Sequence, residues 1–541
     1  VNLMVQWEHK LGMENNDYTV LITASGKGSK LGELTKFINK TLVRVGSKPA
    51  ISYIIERYPK NTNFVITLGH FGDQVKDFLE IAYPQNKFTF VNVDRYEGKG
   101  SSLGYSLLKA APHLQKPFIY HASDTIVYER IAKPTINWIG GFNGIGSSNY
   151  TSFNVLNNRI QKILNKGIID PDYLHIGLVG ISDYEKFWKL LEELHSSNIY
   201  KDELADFHVL NEMISNGSEF KIMEYKKWDD VGNLDALQRA RQNINEPFQI
   251  LEKPKESIYF INNNVIKFFS DEENVQQRVK RAKILKGLVP SVKKVTKNYY
   301  MYGYVKGELY ADIANESNFS KLLKWAFDNL WKPSNEVSNN QFKMVCYNFY
   351  YQKTKKRINE FLKTRSLIDQ ETTINGEKTP SLENLLSLVD FEMLSDGIQT
   401  NFHGDFILDN IIKTKNDFIL LDWRQNFGGL LKSGDIYYDL AKLNHNLIIN
   451  HNIINNNLFA IKPYKKNVTY EILRKDNLIH CQKVLFDFIE EKGLNLKKVK
   501  LLTAISWLNM SPLHLHPYDS FLFFFGKREL WRVINEKENK S

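Results

Sequence analysis

Between Tyr18 and about Leu237, short apolar runs alternate with stretches whose apolar residues recur at helical spacing. Thr19 to Thr23, Phe64 to Leu68, Phe88 to Val93 and Phe118 to His121 read as strands. Lys48 to Tyr58, Gly72 to Ile81 and Ser101 to Ala110 read as the helices between them. This alternation predicts an α/β fold with a doubly wound, mostly parallel sheet. Tyr150 to Ile163 and Leu174 to Ile181 read as further strands flanking that sheet, and Asp206 to Asn216 as a later helix.

Past Leu237 the pattern changes. A helix over Leu234 to Gln242 runs into a Pro-containing segment, Asn243 to Pro254. Ser257 to Ile261 and Asn264 to Phe269 then read as a hairpin about Asn262-Asn263, Asp271 to about Leu285 as a helix, and Tyr299 to Val305 as a strand running to Gly307. From Asn318 the chain reads as largely helical, interrupted at Phe402 to Asp422, and the Asn-rich Ile448 to Asn457 as a loop or helix end. The expected organisation is an extension over 1–17, a domain over 18–243, a linker over 244–254 and a second domain over 255–541.

Composition narrows the class. The 541 residues are 43% hydrophobic and 13% aromatic, ample for packed cores. The net charge of +10 is dispersed among many acids with no basic block, which favours an enzyme for anionic substrates over a nucleic-acid binder. Only Cys346 and Cys481 are present, which excludes a disulfide framework or cysteine-rich metal site and fits a reducing compartment, the cytoplasm. The polar start, Gln6 to Lys10, lacks the apolar stretch of a signal peptide, and no run approaches spanning length, Phe521 to Phe525 included. No membrane insertion is expected; an oligomer is compatible with all of this.

The first candidate chemistry follows the first strand. In Gly26-Lys27-Gly28-Ser29-Lys30 the glycines lack the Cβ that would hold a phosphate away from backbone N–H groups, although a Gly-x-Gly by itself is equally a tight turn. Together with Asn39-Lys40 before an apolar run, Gly46 to Pro49, Asp124 after a strand and Trp228-Asp229-Asp230-Val231-Gly232, the segment 18–242 resembles the nucleotidyltransferases that make nucleoside-diphosphate sugars and CDP-alcohols. The resemblance implies that Gly26, Lys27, Gly28, Ser29 and Lys30 hold a triphosphate and that Lys40 neutralises charge at the attacked α-phosphate. It also implies that Asp124 and Asp230 hold Mg²⁺ and that Lys166 contacts the acceptor phosphate. On the residues alone, Lys27 and Lys166 can also be solvated surface charges and Asp229 a helix cap. Ser25 stands where the family has alanine, Lys30 where arginine is common, and Asn39 where it has proline. The lost proline is more similar to the phosphocholine cytidylyltransferase branch, which implies CTP. Gly98 to Leu103 is similar to the base-contacting loop and does not decide between pyrimidine and purine.

The second candidate chemistry stands near the other end. His403-Gly404-Asp405, Asn410 and Asp422 supply two carboxylates and an amide on one short stretch, the donors that phosphoryl transfer from ATP needs. With Gly434-Asp435 and Asp439-Leu440-Ala441 this resembles the choline kinase and aminoglycoside phosphotransferase family, whose fold is bilobal and protein-kinase-like with a largely helical second lobe. The resemblance implies Asp405 as catalytic base, Asn410 and Asp422 as Mg²⁺ ligands, Lys267 as the phosphate-orienting cation, Tyr302 to Val305 as the adenine hinge, and His403 as a structural loop residue. The family pairs such a lysine with a glutamate on the next helix, whereas Glu272 and Glu273 sit at that helix's very start, where they also serve as caps. Asp435 and Asp439 read as structural. His514 and His516 lack acidic or cysteine partners nearby, and Trp507, Tyr518 and Trp531 read as core or as a cage for a quaternary ammonium.

The combined expectation is a bifunctional enzyme. A kinase module phosphorylates a small alcohol, amino alcohol, polyol or sugar with ATP, and a nucleotidyltransferase module couples the phosphate ester to CTP with release of pyrophosphate. The resemblance implies a product that decorates a surface polysaccharide or lipid. A sugar 1-phosphate with UTP or GTP is the alternative, and a regulatory protein with one inactive module is the alternative of another class.

Overall fold

The computed structural model describes residues 18–144, 149–168, 170–244, 253, 255–415 and 417–536. The chain forms two compact units, Val1–Glu272 with Lys294–Met301, and Glu273–Lys293 with Tyr302–Ser541.

The first unit is built on one nine-stranded sheet. Its order is Lys87–Asn92, Asn63–Leu68, Thr19–Thr23, Phe118–Ala122, Tyr173–Ile181, Trp138–Phe142, Lys221–Glu224, Arg159–Leu164, Ser152–Leu156. The first four strands are parallel, with Val20 in register with Phe64 on one side and Ile119 on the other. Thr19–Thr23 is buried along its whole length, and alternate residues feed opposite faces of the sheet. Val20 and Ile22 join Val75, Phe78 and Leu79 in one core, while Leu21 joins Leu107, Phe187 and Leu191 in the other. Tyr173–Ile181 then runs antiparallel to both its neighbours, and Ser152–Leu156 with Arg159–Leu164 forms a hairpin. The sheet is therefore mixed, not mostly parallel. Only the strands joined by crossover helices are bound to run parallel, and the later strands are joined otherwise.

Helices fall close to their expected places. Gly72–Ala82 buries Val75, Phe78, Leu79 and Ala82, and Leu103–Ala110 is capped by the Ser102 hydroxyl, which accepts from the Tyr105 amide. The helix expected over Lys48 to Tyr58 is shorter, Ala50–Ile55, because Lys48–Pro49 pairs with Arg44–Val45 as a two-strand ladder. The hairpin Glu256–Ile261 and Asn264–Phe269 turns through Asn262 and Asn263, at φ 49° and 59°, the geometry of a tight hairpin turn. It belongs to the first unit: the Tyr259 hydroxyl donates to the Leu42 carbonyl at 2.6 Å and its ring meets Phe78 at 5.4 Å.

The second unit is largely helical. Leu496–Met510 is buried nearly all round and packs against Ile436–Ile448 and Tyr518–Asn535. A three-stranded sheet of Glu308–Leu309, Ile411–Lys413 and Phe418–Leu420 flanks the loop that carries Asp405 and Asn410. A four-stranded sheet of Thr372–Ile374, Glu377–Thr379, Phe459–Tyr464 and Asn467–Ile472 interrupts the stretch expected to be helical. Its central pairing, Thr373 with Asn467, joins residues far apart in the chain, and Phe459–Tyr464 is largely exposed, so neither local pattern nor hydrophobicity marks it. Among the described residues no helix is long and apolar enough to cross a membrane.

Candidate active site

In the first unit the ends of the parallel strands gather one acid-and-lysine centre. The Gly-rich loop leaves Thr19–Thr23 and enters a 3₁₀ turn, Ser29–Thr35. Gly28 has φ +69°, and a Cβ there would lie 2.6 Å from the Lys40 Cβ, so the loop can rest on Lys40 only because this residue is glycine. Lys40 is held by its neighbour. Asn39 is fully buried; its Nδ2 donates to the Ala24 and His70 carbonyls at 2.9 and 2.6 Å, and its Oδ1 accepts from the Thr41 amide and hydroxyl, both at 2.9 Å. Its backbone N–H, which a proline would lack, donates to Gln74 at 3.1 Å.

Lys40 Nζ lies 3.7 Å from Asp124 Oδ2. Asp124 follows Phe118–Ala122, and Trp228–Asp230 pairs antiparallel with Thr125–Val127, which sets Asp230 opposite Thr125 and beside Asp124. A Cβ on Gly232 would sit 3.0 Å from Asp124 Oδ2 and 3.1 Å from Asp230 Oδ1, so both carboxylates face one narrow space. Burial and the Asp124 charge push the Asp230 carboxyl above the usual range, against donors from Tyr150 and the Gly232 amide at 2.7 and 2.8 Å. Asp229 is not a helix cap: it is buried, accepting from the Tyr128 hydroxyl at 2.6 Å and Asn243 at 2.7 Å, while Asn233 caps the helix Leu234–Ile244. Ser29 and Lys30 are exposed, Lys27 pairs with Glu97 across a half-exposed surface, and Lys166 is exposed on the turn after Arg159–Leu164. Gly100 N donates to Asp202 at 2.6 Å, which ties the Gly98 to Leu103 loop to the rest of the unit.

The second unit carries its own centre. The His403 and Gly404 amides each donate to Asp439 at 2.7 Å, which fixes the turn that presents Asp405. His403 is fully buried with Nδ1 accepting from the Asp405 amide at 3.3 Å, and burial pushes its imidazole down to about 4. Asn410 Nδ2 donates to the Asp405 carbonyl at 3.0 Å and to Oδ2 at 3.2 Å, and Lys442 Nζ holds Oδ1 at 2.8 Å. The Leu421 amide donates to the Asn410 carbonyl at 2.7 Å and so brings Asp422 to the same loop. Asp422 sits at φ 55° and pairs with Arg278 at 3.1 Å.

No protein-family model matches the chain. Among curated proteins it is 22% identical over 255 residues to the bifunctional protein GlmU of Methanococcus maripaludis, covering 46% of this chain and 59% of that one. It is 31% identical over 87 residues to a "probable glucose-1-phosphate cytidylyltransferase" of Bacillus subtilis, covering 16% of this chain and 33% of that one. The N-terminal part of the chain is nucleotidyltransferase-like. The chain covers less than two thirds of either relative's length. Similar solved structures include the CTP:phosphocholine cytidylyltransferase of Streptococcus pneumoniae, at 18% identity and TM-score 0.36 over 42% of this chain and all of that one. Another is a UDP-glucose pyrophosphorylase complexed with UDP-glucose, at 15% identity and TM-score 0.36, covering 42% of this chain and 98% of that one.

The nucleotidyltransferase-like part thus brings together Gly28, Lys40, Asp124 and Asp230 from distant stretches of chain. Tyr150 and Gly232, whose hydroxyl and amide donate to the Asp230 carboxylate, are not among the residues the sequence singles out, Gly232 being there only part of a motif. In the second unit the same holds of Lys442, Arg278 and Arg281. The helix Glu272–Ile284 turns these two arginines, three residues apart, toward the 402–424 stretch. Arg281 is fully buried, donating to the Leu431, His403 and Arg424 carbonyls at 3.0, 3.3 and 2.5 Å, with its guanidinium 3.7 Å from the Phe402 ring centroid. Lys267 is buried on Asn264–Phe269 in the first unit, opposite Ile258. Asp435 caps Ile436–Ile448 and accepts from Tyr350, and Asp409 accepts from Asn446. Trp507 and Tyr518 pack against Phe525 and Phe459, as core residues do.

Proposed function

We propose that the chain is a bifunctional transferase in which the first unit transfers a nucleotidyl group, from CTP, to a phosphate ester, and the second makes that ester from a small alcohol and ATP. The observation that carries the first half is the ion pair of Lys40 with Asp124, opposite Asp230, under a glycine loop. The loop N–H groups around Gly26 to Lys30 would cradle the triphosphate, and Lys40 stands where charge builds on the α-phosphate as the acceptor phosphate oxygen attacks. The α-phosphate bond to the new oxygen forms as the bond to pyrophosphate breaks.

The donor set suits Mg²⁺. Among the described residues no group of three or more His, Cys, Asp or Glu side chains forms a metal cage, but two facing carboxylates match an ion that takes its remaining ligands from substrate phosphates and water. Asp124 and Asp230 would hold it, where it supplies charge neutralisation. The curated relative named as a glucose-1-phosphate cytidylyltransferase supports a cytidine nucleotide, and it supports a sugar 1-phosphate as a second reading of the acceptor.

For the second unit the supporting geometry is Asp405, oriented by Asn410 and Lys442, beside Asp422. Asp405 would take the proton of the acceptor hydroxyl, and Asn410, whose side-chain Nδ2 is turned to Asp405, would offer its side-chain Oδ1 to Mg²⁺, with Asp422 as the other ligand. Lys267, the phosphate-orienting cation that the family resemblance implies, lies in the first unit, and no part in the second unit's centre is proposed for it. We propose a reducing, cytoplasmic setting from the two buried free cysteines, and, on the family resemblance alone, a product that serves as activated donor for a surface polysaccharide or lipid. Pyrophosphate release with each NTP and ADP release across a panel of alcohols test the two halves separately. Comparable or faster pyrophosphate release with UTP, GTP or ATP removes the CTP assignment, and no release of either product removes the corresponding half.

A further inference from the structure

The second unit holds a cavity of about 120 Å³ whose lining contrasts with the cationic acceptors of the kinase family it resembles. Lys353, Arg357, Arg424 and Lys442 line it, with Phe349 and Tyr438, and no acidic residue does. Lys442 spends its charge on Asp405 at 2.8 Å. The other three cations make no ion pair within 4.0 Å among the described residues; the Glu360 carboxylate, one turn along the same helix, acts on Arg357 from farther off and does not line the cavity. Arg357 donates to the Asn509 carbonyl at 3.2 Å, Arg424 to the Asn426 carbonyl at 3.0 Å and the Tyr438 hydroxyl at 3.4 Å, and the Lys353 ammonium lies 3.7 Å from the Phe349 ring centroid.

Such a cluster is electrostatically unfavourable on its own. Burial and, after it, the charges of Arg424, Arg357 and Lys442 hold the Lys353 ammonium well below the ordinary lysine value. Two guanidiniums and an ammonium converging on one space match the fork-and-point-charge geometry that recognises carboxylate and phosphate. The same charges repel a quaternary ammonium. The cavity borders the lysine that grips Asp405, so a group seated in it belongs to the molecule presented to that carboxylate.

We propose that the acceptor of the second unit is an alcohol bearing an oxyanion, a carboxylate or a phosphate, and that Lys353, Arg357 and Arg424 seat that oxyanion while the hydroxyl faces Asp405. This rests on the kinase reading of the second unit. In the step, the acceptor oxygen bonds to the γ-phosphorus of ATP, the bond to the ADP oxygen breaks, and the hydroxyl proton passes to Asp405. The product carries both the original anion and the new phosphate ester.

The test has two readouts on the full-length protein. Calorimetric titration with inorganic phosphate and with glycerate measures the seat without ATP, and ADP release compares glycerate and glycerol phosphate with glycerol and choline. Binding of either anion, weakened tenfold or more in Arg357→Gln and Lys353→Gln, is the expected result, with anionic acceptors turned over and choline not. A preference for glycerate or for glycerol phosphate says which oxyanion is used. Ser506→Asp places a carboxylate in the cavity wall and should abolish phosphate binding while the protein stays folded by circular dichroism. Faster turnover of glycerol or choline than of both anions overturns the proposal, as does the absence of any anion binding, or binding unchanged in all three variants. Absence of ADP release with every acceptor, while anion binding and its loss in the variants persist, sinks the kinase reading and leaves the oxyanion seat standing.

Discussion

Asn39→Ala should loosen the nucleotide centre without touching a group that contacts substrate. The side chain is fully buried and makes four hydrogen bonds, at 2.6 Å to His70 and 2.9 Å to Ala24, Thr41 N and Thr41 Oγ1. Alanine leaves the carbonyls of Ala24 and His70 and the amide of Thr41 without that partner, and a buried polar group left unmatched costs about 1–3 kcal/mol. Three such groups, at the low end, amount to about 3 kcal/mol. For a unit of this size that is a fall of about 6–12 °C in the melting midpoint of the first unit. Asn39→Asp separates the contributions, because a carboxylate still accepts from Thr41 but cannot donate to the two carbonyls. It should be at least as destabilised. Asn39→Pro should lose these bonds and the N–H to Gln74, while the fixed φ of proline matches the φ −62° at which Asn39 already sits. The assay is thermal unfolding followed by tryptophan fluorescence and calorimetry, with pyrophosphate release measured beside it. A shift under about 3 °C for both Asn39→Ala and Asn39→Asp would refute the reasoning, since the carbonyls would then have found other donors.

Asp405→Asn should cut phosphorylation by orders of magnitude yet leave nucleotidyl transfer to a supplied ester intact, whereas Asp124→Ala or Lys40→Ala should let the ester accumulate unconjugated, both read by mass spectrometry of products. Loss of both reactions in folded Asp405→Asn would mean a single shared active site. Chelation with EDTA should stop both reactions and Mg²⁺ should restore them, and residual turnover after thorough chelation would remove the metal roles of Asp124, Asp230, Asn410 and Asp422. Acid should destabilise the first unit: burial pushes His121 down to about 4, so between about pH 6.5 and 4 its unfolded chain takes up a proton that the folded one refuses. In the second unit Asp439, pushed up to about 6 by burial, offsets His403, lowered to about 4, over the same window. The urea midpoint of the first unit should fall as pH drops through that window, and a flat profile there would show that His121 is not buried neutral.

What was legible in the sequence was local. Val20, Leu21 and Ile22 are apolar on both faces of a strand, Gly72 to Ala82 has helical spacing, and Asn262-Asn263 can take two positive φ angles; each is decided by neighbours a few residues away. Lys40, Asp124, Asp230, Asp405 and Asp422 stood out through motifs that resemble known families, and the structure sets Lys40 beside Asp124 opposite Asp230, and Asp422 against the loop of Asp405. Tertiary structure decided the partners. The mixed direction of the sheet follows from which edge Tyr173–Ile181 pairs with, and the hairpin of Phe459–Tyr464 with Asn467–Ile472 becomes part of a four-stranded sheet only because Thr373, far away in the chain, pairs with Asn467. Asn39 reads as an oddity until Ala24 and His70 are brought to its amide, and Lys442 as a surface lysine of a helix until Asp405 is brought to its ammonium. The cluster of Lys353, Arg357 and Arg424 was invisible for the same reason: Lys353 and Arg357 stand one turn apart on a helix and read as a solvated face, until folding brings Arg424 and Lys442 from a distant stretch of chain to the same cavity.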